Sequence, residues 1–222
     1  MDFIIQMSGY VLLVIVALIP IANPFSTAPL FVSMTTGATK KQRRHIALLS
    51  SFYMFIVLTV FLLLGSVILS FFGISMPALR IAGGLIVSTI GFRMVFDHQD
   101  DNEKLEEAQA STKDFTSIAF TPLAMPMLSG PGSISVIMSV AAKLSEIETV
   151  SNKIIGYSVV ILGIALSALI CWLVLRASGS VVRLLGKNGI DALTKVMGFL
   201  LVSIGVEFLV AGLRGLGVIS VS

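Results

Sequence analysis

The sequence predicts an all-α membrane protein with six transmembrane helices, laid out as two inverted three-helix repeats. Three observations predict it. Of the 222 residues, 56% are hydrophobic and only 12% are charged, about half the charge share of a soluble domain, and the mean hydropathy is +1.00. Six stretches approach or exceed the roughly 20 apolar residues that cross a bilayer: 3–34 and 115–142, each with a break, and 46–72, 76–96, 154–175 and 196–210. Finally, one proline-punctuated segment occurs twice. At a constant offset of 102, Ala17, Pro20, Ala22, Pro24 and Pro29 meet Ala119, Pro122, Ala124, Pro126 and Pro131.

The repeat continues into spans three and six. At an offset of 114, Ala78-Leu79 meets Ala192-Leu193, Gly84 meets Gly198, and Ile90-Gly91 meets Ile204-Gly205. Each half therefore holds three spans, residues 1–96 and 115–222. Three is odd, so the second copy enters the bilayer from the opposite face, with the pseudo-two-fold axis in the membrane plane. Between the halves, 97–114 is a solvated acidic linker, with seven carboxylates against Lys104 and Lys113.

Within each half the first span is broken or re-entrant. Proline lacks an N–H and clashes with the carbonyl four residues back. Pro20 and Pro24 sit four apart, as do Pro122 and Pro126, so neighbouring carbonyls are freed on one side of each helix. Gly130-Pro131-Gly132 adds a permissive backbone. The spacing predicts half-helices that start near Pro24 or Phe25 and near Pro131 or Gly132. Backbone groups freed at membrane depth must be met by protein or by water in a cavity. A half-helix N-terminus favours a carboxylate, and freed carbonyls favour an ammonium group. Together they suit a zwitterion. The candidate binding residues are Asn23, Pro24, Ser26, Thr27 and Pro29 from the first copy, with Pro126, Ser129, Gly130, Pro131, Gly132 and Ser133 from the second. The competing reading is that the prolines kink helices and the hydroxyls bond back to their own backbone. An Asn-Pro pair in both copies would suggest a water pore, but the second copy reads Met125-Pro126.

The matched glycines of spans three and six, with Gly163 and Ser167 in span five, allow close helix approach where no hydrophobic effect separates helix from lipid. Lys40, Lys41, Arg43 and Arg44 in the first loop and Arg176, Arg183 and Lys187 in the fifth make odd-numbered loops cytoplasmic by the positive-inside rule. Both termini are then periplasmic. The first segment reads as a retained span rather than a cleaved signal. The basic body fits an inner-leaflet surface, and no soluble basic module is present for nucleic acid.

Few ionisable groups lie at membrane depth, where they are functional candidates by default. Glu207 is the strongest, either carrying a coupling proton, facing a substrate amine, or pairing with Arg214. Arg93, its counterpart at the 114 offset, reads as snorkelling to the interface. Asp191 and Lys195 read as a surface pair. Cys171 is the only cysteine and reads as a packed core thiol. His45 and His98 have no ligand spacing, and no H-E-x-x-H, G-x-S-x-G or phosphate loop occurs. No enzyme activity, metal or cofactor is expected.

Four segments in order, Asn23-Pro24-Phe25 with Pro29-Leu30-Phe31, Arg80-Ile81-Ala82-Gly83-Gly84, Pro122 to Pro126 with Gly130-Pro131-Gly132, and Met197-Gly198 with Gly205-Val206-Glu207-Phe208, resemble the MarC family of bacterial inner-membrane proteins over essentially the whole chain. The resemblance is to the small neutral amino acid transporter branch. It implies a six-span secondary transporter that exports glycine and alanine, with a neutral amino acid and the lipid bilayer as partners. A coupling proton or sodium ion and a homo-oligomer stay open. A channel, or a carrier for another small solute, lipid or drug on the same inverted fold, is the alternative. A membrane adaptor docking through 97–114 is a third reading.

Overall fold

The computed structural model describes residues 2–96 and 115–218. The acidic linker expected over 97–114 lies outside the described residues. Every described element is helical: α1 (Asp2–Ala22), α2 (Pro24–Met34), α3 (Lys40–Phe71), α4 (Met76–Phe96), the single turn α5 (Phe115–Ile118), a wide π-helical segment π1 (Ala119–Leu128), α6 (Pro131–Ser145), α7 (Val150–Arg176) and α8 (Ser178–Gly215). No strand occurs among the described residues.

Local chemistry sets several of these boundaries. Thr39 and Gln42 form a reciprocal capping box at the start of α3, which satisfies two N–H groups that have no partner within the helix. The same helix stops where Gly73 turns left-handed at φ 65° and Ile74 N–H donates back to Leu69 O at 2.9 Å, a Schellman-type stop that glycine accepts without a Cβ penalty. Gly186, at φ 62°, breaks α8 near its start.

Four helices, α3, α4, α7 and α8, are long and apolar enough to cross a membrane. Met7–Ala22 and α2 make a fifth candidate, bent by 46° at Asn23. The half-helices begin at Pro24 and Pro131, as the proline spacing predicts. The stretch 115–142 departs furthest from a straight span. Thr121 and Met125 take extended backbone angles inside π1, each just before a proline, which pushes its predecessor out of the helical region.

Burial differs from that of a water-soluble bundle on the outer face. On α3, Ala47, Ser51, Met54, Leu58, Leu62, Gly65 and Leu69 form the buried stripe, while Phe52, Ile56, Val60, Leu63 and Val67 face outward. The outward face is as apolar as the inward one because its solvent is hydrocarbon. Small and hydroxylated residues instead collect inside: Ser50, Ser88, Ser129, Ser133, Ser135, Ser139 and Ser167 are all buried.

The helices pack in a pattern of pairs. α1 lies on α7, and both π1 and α6 lie on α3. α2 lies on α8, and α6 lies on α4. α3 meets α7, and α4 runs along α8 in the most extensive contact of the fold. In that last contact the glycines carry the approach. A Cβ built on Gly84 would stand 2.6 Å from Gly205 O, and one on Gly91 would stand 2.7 Å from Gly198 O. Two corners share another device. Arg43 Nε donates to Thr35 O at 3.1 Å beyond α2, and Lys153 Nζ donates to Ser145 O at 3.0 Å beyond α6. In each case a base eight residues onward caps the end of a half-helix, where cations are favoured.

Candidate functional site

The first break is built around one asparagine. Pro20 weakens the end of α1, and Pro24 sits at the first helical position of α2, where its missing N–H costs nothing. Between them Asn23 is left-handed, with φ 34° and ψ 66°, a conformation asparagine tolerates better than most residues. Its side chain is buried, and both its oxygen and its nitrogen are hydrogen-bonded to Ser26. Oδ1 accepts from Ser26 N–H at 3.3 Å, and Nδ2 donates to Ser26 Oγ at 2.6 Å. Ser26 Oγ in turn meets Thr194 Oγ1 on α8, and Thr194 Oγ1 donates to Ile190 O at 2.8 Å. Since Thr194 spends its proton on Ile190, Ser26 must donate to Thr194. The result is a directional chain from Asn23 through Ser26 and Thr194 to the α8 backbone. It ties the broken first span to the last.

This arrangement corrects one sequence expectation. The N–H groups at the start of α2 were expected to point freely into a cavity. Ser26 N–H is taken by the Asn23 side chain, and Thr27 N–H and Oγ1 both donate to Asn23 O at 3.2 Å. In this conformation the Asn23 side chain occupies the Ser26 N–H at the α2 N-terminus.

The second break has different chemistry. Ser129 donates twice to Ala124 O, from N–H at 2.9 Å and from Oγ at 2.7 Å. Ser133 Oγ donates to Leu128 O at 3.2 Å. These hydroxyls satisfy carbonyls loosened by the wide π1 turn, as the back-bonding reading expects. Gly130 caps α6 without a side-chain hydrogen bond. The side chain of Pro126 lies outside the described residues.

The two breaks are neighbours. Gly132, in the first turn of α6, is buried against Ile21, whose Cγ2 would stand 2.9 Å from a Cβ at that glycine. Ile21 is two residues before Asn23, so both half-helices start within one region. Around it Ile21, Val87, Val136 and Leu201 form a small apolar core, with Ile90, Ile204, Met94 and Phe208 packed on it.

Glu207 lies elsewhere. It is 13 residues beyond Thr194 on α8, or about 20 Å along the axis at 1.5 Å per residue. It lines a cavity of about 150 Å³ with Arg80 of α4 and with Ser139 and Lys143 of α6. Arg214 is not its partner: the one ion pair among the described residues joins Lys195 to Asp191 at 3.1 Å. A second cavity of about 150 Å³ touches Pro29, Val182, Lys187 and Ile190. Ile190 and Glu207 are 17 residues apart on α8, about 25 Å, so the cavities open near opposite ends of a bilayer-length helix.

A model of the MarC family of integral membrane proteins matches residues 8–217. The chain belongs to the MarC family. Inner membrane protein MarC of Escherichia coli strain SMS-3-5 is 40% identical over 204 residues, covering 90% of this chain and 91% of that protein. The MarC proteins of Escherichia coli K12 and Shigella flexneri are each 40% identical over 203 residues, with the same coverage. No solved structure matches. With these relatives and its apolar helices, this MarC-family chain is a multi-pass inner-membrane protein.

Sequence reasoning missed four residues that the MarC-family fold places at the breaks and cavities. Thr194 sits in a register equivalent to Arg80 at the 114 offset, a signal that was present and unused. Arg80 entered only within the segment Arg80-Ile81-Ala82-Gly83-Gly84, and Lys143 is a lone basic residue near the end of an apolar stretch. Ser139 gave no signal apart from its place four residues before Lys143, on the same helical face.

Proposed function

We propose that this protein is a secondary transporter that exports small neutral amino acids such as glycine and alanine, built from two three-span halves of opposite orientation. The observation that carries the reading is the crossed glycine contact between α4 and α8. Gly84 corresponds to Gly198 and Gly91 to Gly205, yet Gly84 faces Gly205 and Gly91 faces Gly198. Swapping the halves turns one contact into the other, as a two-fold axis between the helices requires. Val87 and Leu201, equivalent at the 114 offset, are both wholly buried in the core at that midpoint. Ile90 with Ile204 and Met94 with Phe208 are equivalent pairs beside it.

Two further pairs of contacts obey the same exchange. α1 on α7 matches π1 and α6 on α3, and α2 on α8 matches α6 on α4. The Arg43 and Lys153 caps repeat one corner in both halves. On this reading 115–142 is a sixth, broken crossing, odd-numbered loops are cytoplasmic and both termini are periplasmic. Two broken spans meeting at the centre of an inverted repeat give the architecture of alternating access, in which one half rocks against the other around a central site. The Ser26–Thr194 bond is a contact such a motion would break and remake.

Counterflow in proteoliposomes tests the reading. Vesicles loaded with unlabelled glycine should take up labelled glycine or alanine with saturable kinetics. An unsaturable, voltage-driven conductance would assign the fold to a channel and contradict a carrier.

A further inference from the structure

We infer that the cavity formed by Arg80, Ser139, Lys143 and Glu207 is a binding site for a small zwitterion, an α-amino acid without a charged side chain. The inference deepens the transport reading and rests on it for the cavity's role as a station on the route. Its chemistry stands on the cavity itself.

The cavity joins three elements. Arg80 comes from the first turns of α4, Ser139 and Lys143 from α6, and Glu207, Phe208 and Ala211 from α8. Gly83 makes this meeting close, since a Cβ there would stand 3.0 Å from Ser135 Cβ and 3.7 Å from the Phe208 ring. The charged groups are the half-buried Arg80 and the exposed Lys143 and Glu207. At the other extreme of burial is Ser139, 4% exposed, whose Oγ has no hydrogen-bond partner. A buried hydroxyl without a partner is disfavoured relative to one that is satisfied. Its neighbours Ser145, Ser129 and Ser133 all bond back to a carbonyl. Ser139, free and beside two cations, can donate to an incoming oxygen.

Opposite charges that do not neutralise each other are the second indication. Neither Arg80 nor Lys143 forms an ion pair with Glu207 among the described residues. A guanidinium and an ammonium suit a carboxylate. A carboxylate in the same cavity repels a simple anion but attracts a ligand that brings its own cation. Glycine and alanine carry both groups on one carbon. A cavity of about 150 Å³ is of the size that accommodates benzene, six heavy atoms. Alanine also has six.

Binding to the full-length protein in nanodiscs, by calorimetry or by labelled glycine in a proximity assay, tests this directly. The wild type should bind glycine and alanine, and should bind propionate and ethylamine at least tenfold more weakly. E207Q should lose at least tenfold in glycine affinity. S139A should lose several-fold while its melting temperature holds or rises, because no existing hydrogen bond is removed. Ser51 is also buried without a partner, on α3 away from the cavity, so S51A should leave glycine affinity unchanged while its melting temperature likewise holds or rises. Propionate binding as tightly as glycine would make this a plain anion site and overturn the inference. Glycine binding unchanged in E207Q and S139A, with counterflow intact, would overturn it while leaving the transport reading standing. Binding that follows the prediction in a wild type without counterflow would sink the transport reading alone.

Discussion

Gly84→Ala and Gly91→Ala each lower the melting temperature of the purified protein by several degrees, and Gly179→Ala does not. The contrast follows from what one methyl group meets. At position 84 it lands 2.6 Å from Gly205 O and 3.0 Å from Leu209 N; at 91 it lands 2.7 Å from Gly198 O and 2.8 Å from Val202 N. These are backbone atoms of α8, which cannot swing aside as a side chain can. Relief requires the two helices to separate along the longest contact in the fold. Overpacking of this kind costs about 1–3 kcal/mol, and the backbone partners put these two sites toward the upper end. At Gly179 an added methyl meets nothing within 4 Å, and alanine is the better helix former by up to about 1 kcal/mol. The expected sign there is neutral to stabilising. A thermal ramp followed by size-exclusion fluorescence reads all three. Equal behaviour at positions 84, 91 and 179 would mean that α4 and α8 do not meet through these glycines.

Asn23 carries the largest functional effect. Asn23→Ala removes the Oδ1 acceptor for Ser26 N–H and the Nδ2 donor to Ser26 Oγ, and it leaves a Cβ-bearing residue at φ 34° without the local hydrogen bonds that make asparagine tolerable there. Loss of the cap costs about 1 kcal/mol and the left-handed residue roughly another 1. Asn23→Gly recovers the second term only, so it should be the more stable of the two. Asn23→Asp keeps the acceptor but has no N–H to give. Ser26 would then turn its proton toward the carboxylate and abandon Thr194. All three variants break the chain from α2 to α8, and glycine counterflow should fall at least tenfold in each, whatever their order of stability. Activity that tracked stability instead, with Asn23→Gly near wild type, would show that Asn23 matters only as a cap.

The sequence and structure agree most closely where the cause is local. Pro24 and Pro131 start half-helices because a proline's missing N–H and fixed φ act within one turn. The paired glycines were legible because Gly84 and Gly91 recur as Gly198 and Gly205 at the single offset of 114. The acidic linker apart, composition alone placed the helices in a bilayer. What the sequence did not reveal depends on partners distant in the chain. Ser26 and Thr194 are 168 residues apart, and nothing near Ser26 announces which hydroxyl it will meet. The serines of the second break read from the sequence either as ligands or as partners of their own backbone; their bonds to the Ala124 and Leu128 carbonyls follow from the π1 backbone, which proline spacing predicts only as a break. Arg80, Lys143 and Glu207 come from three different elements, and no linear motif connects them.

Opposite orientation of the two halves underlies both the transport reading and the meaning of the glycine contacts. Thr36 and Thr149 lie in equivalent corners, after α2 and after α6, and both are exposed. The native Cys171 is wholly buried and should stay silent toward a membrane-impermeant thiol reagent. Single cysteines at these two positions, probed in intact cells and again after permeabilisation, decide the matter. Thr149→Cys should label from outside and Thr36→Cys only once the membrane is opened. Labelling of both from the same side would contradict an inverted repeat.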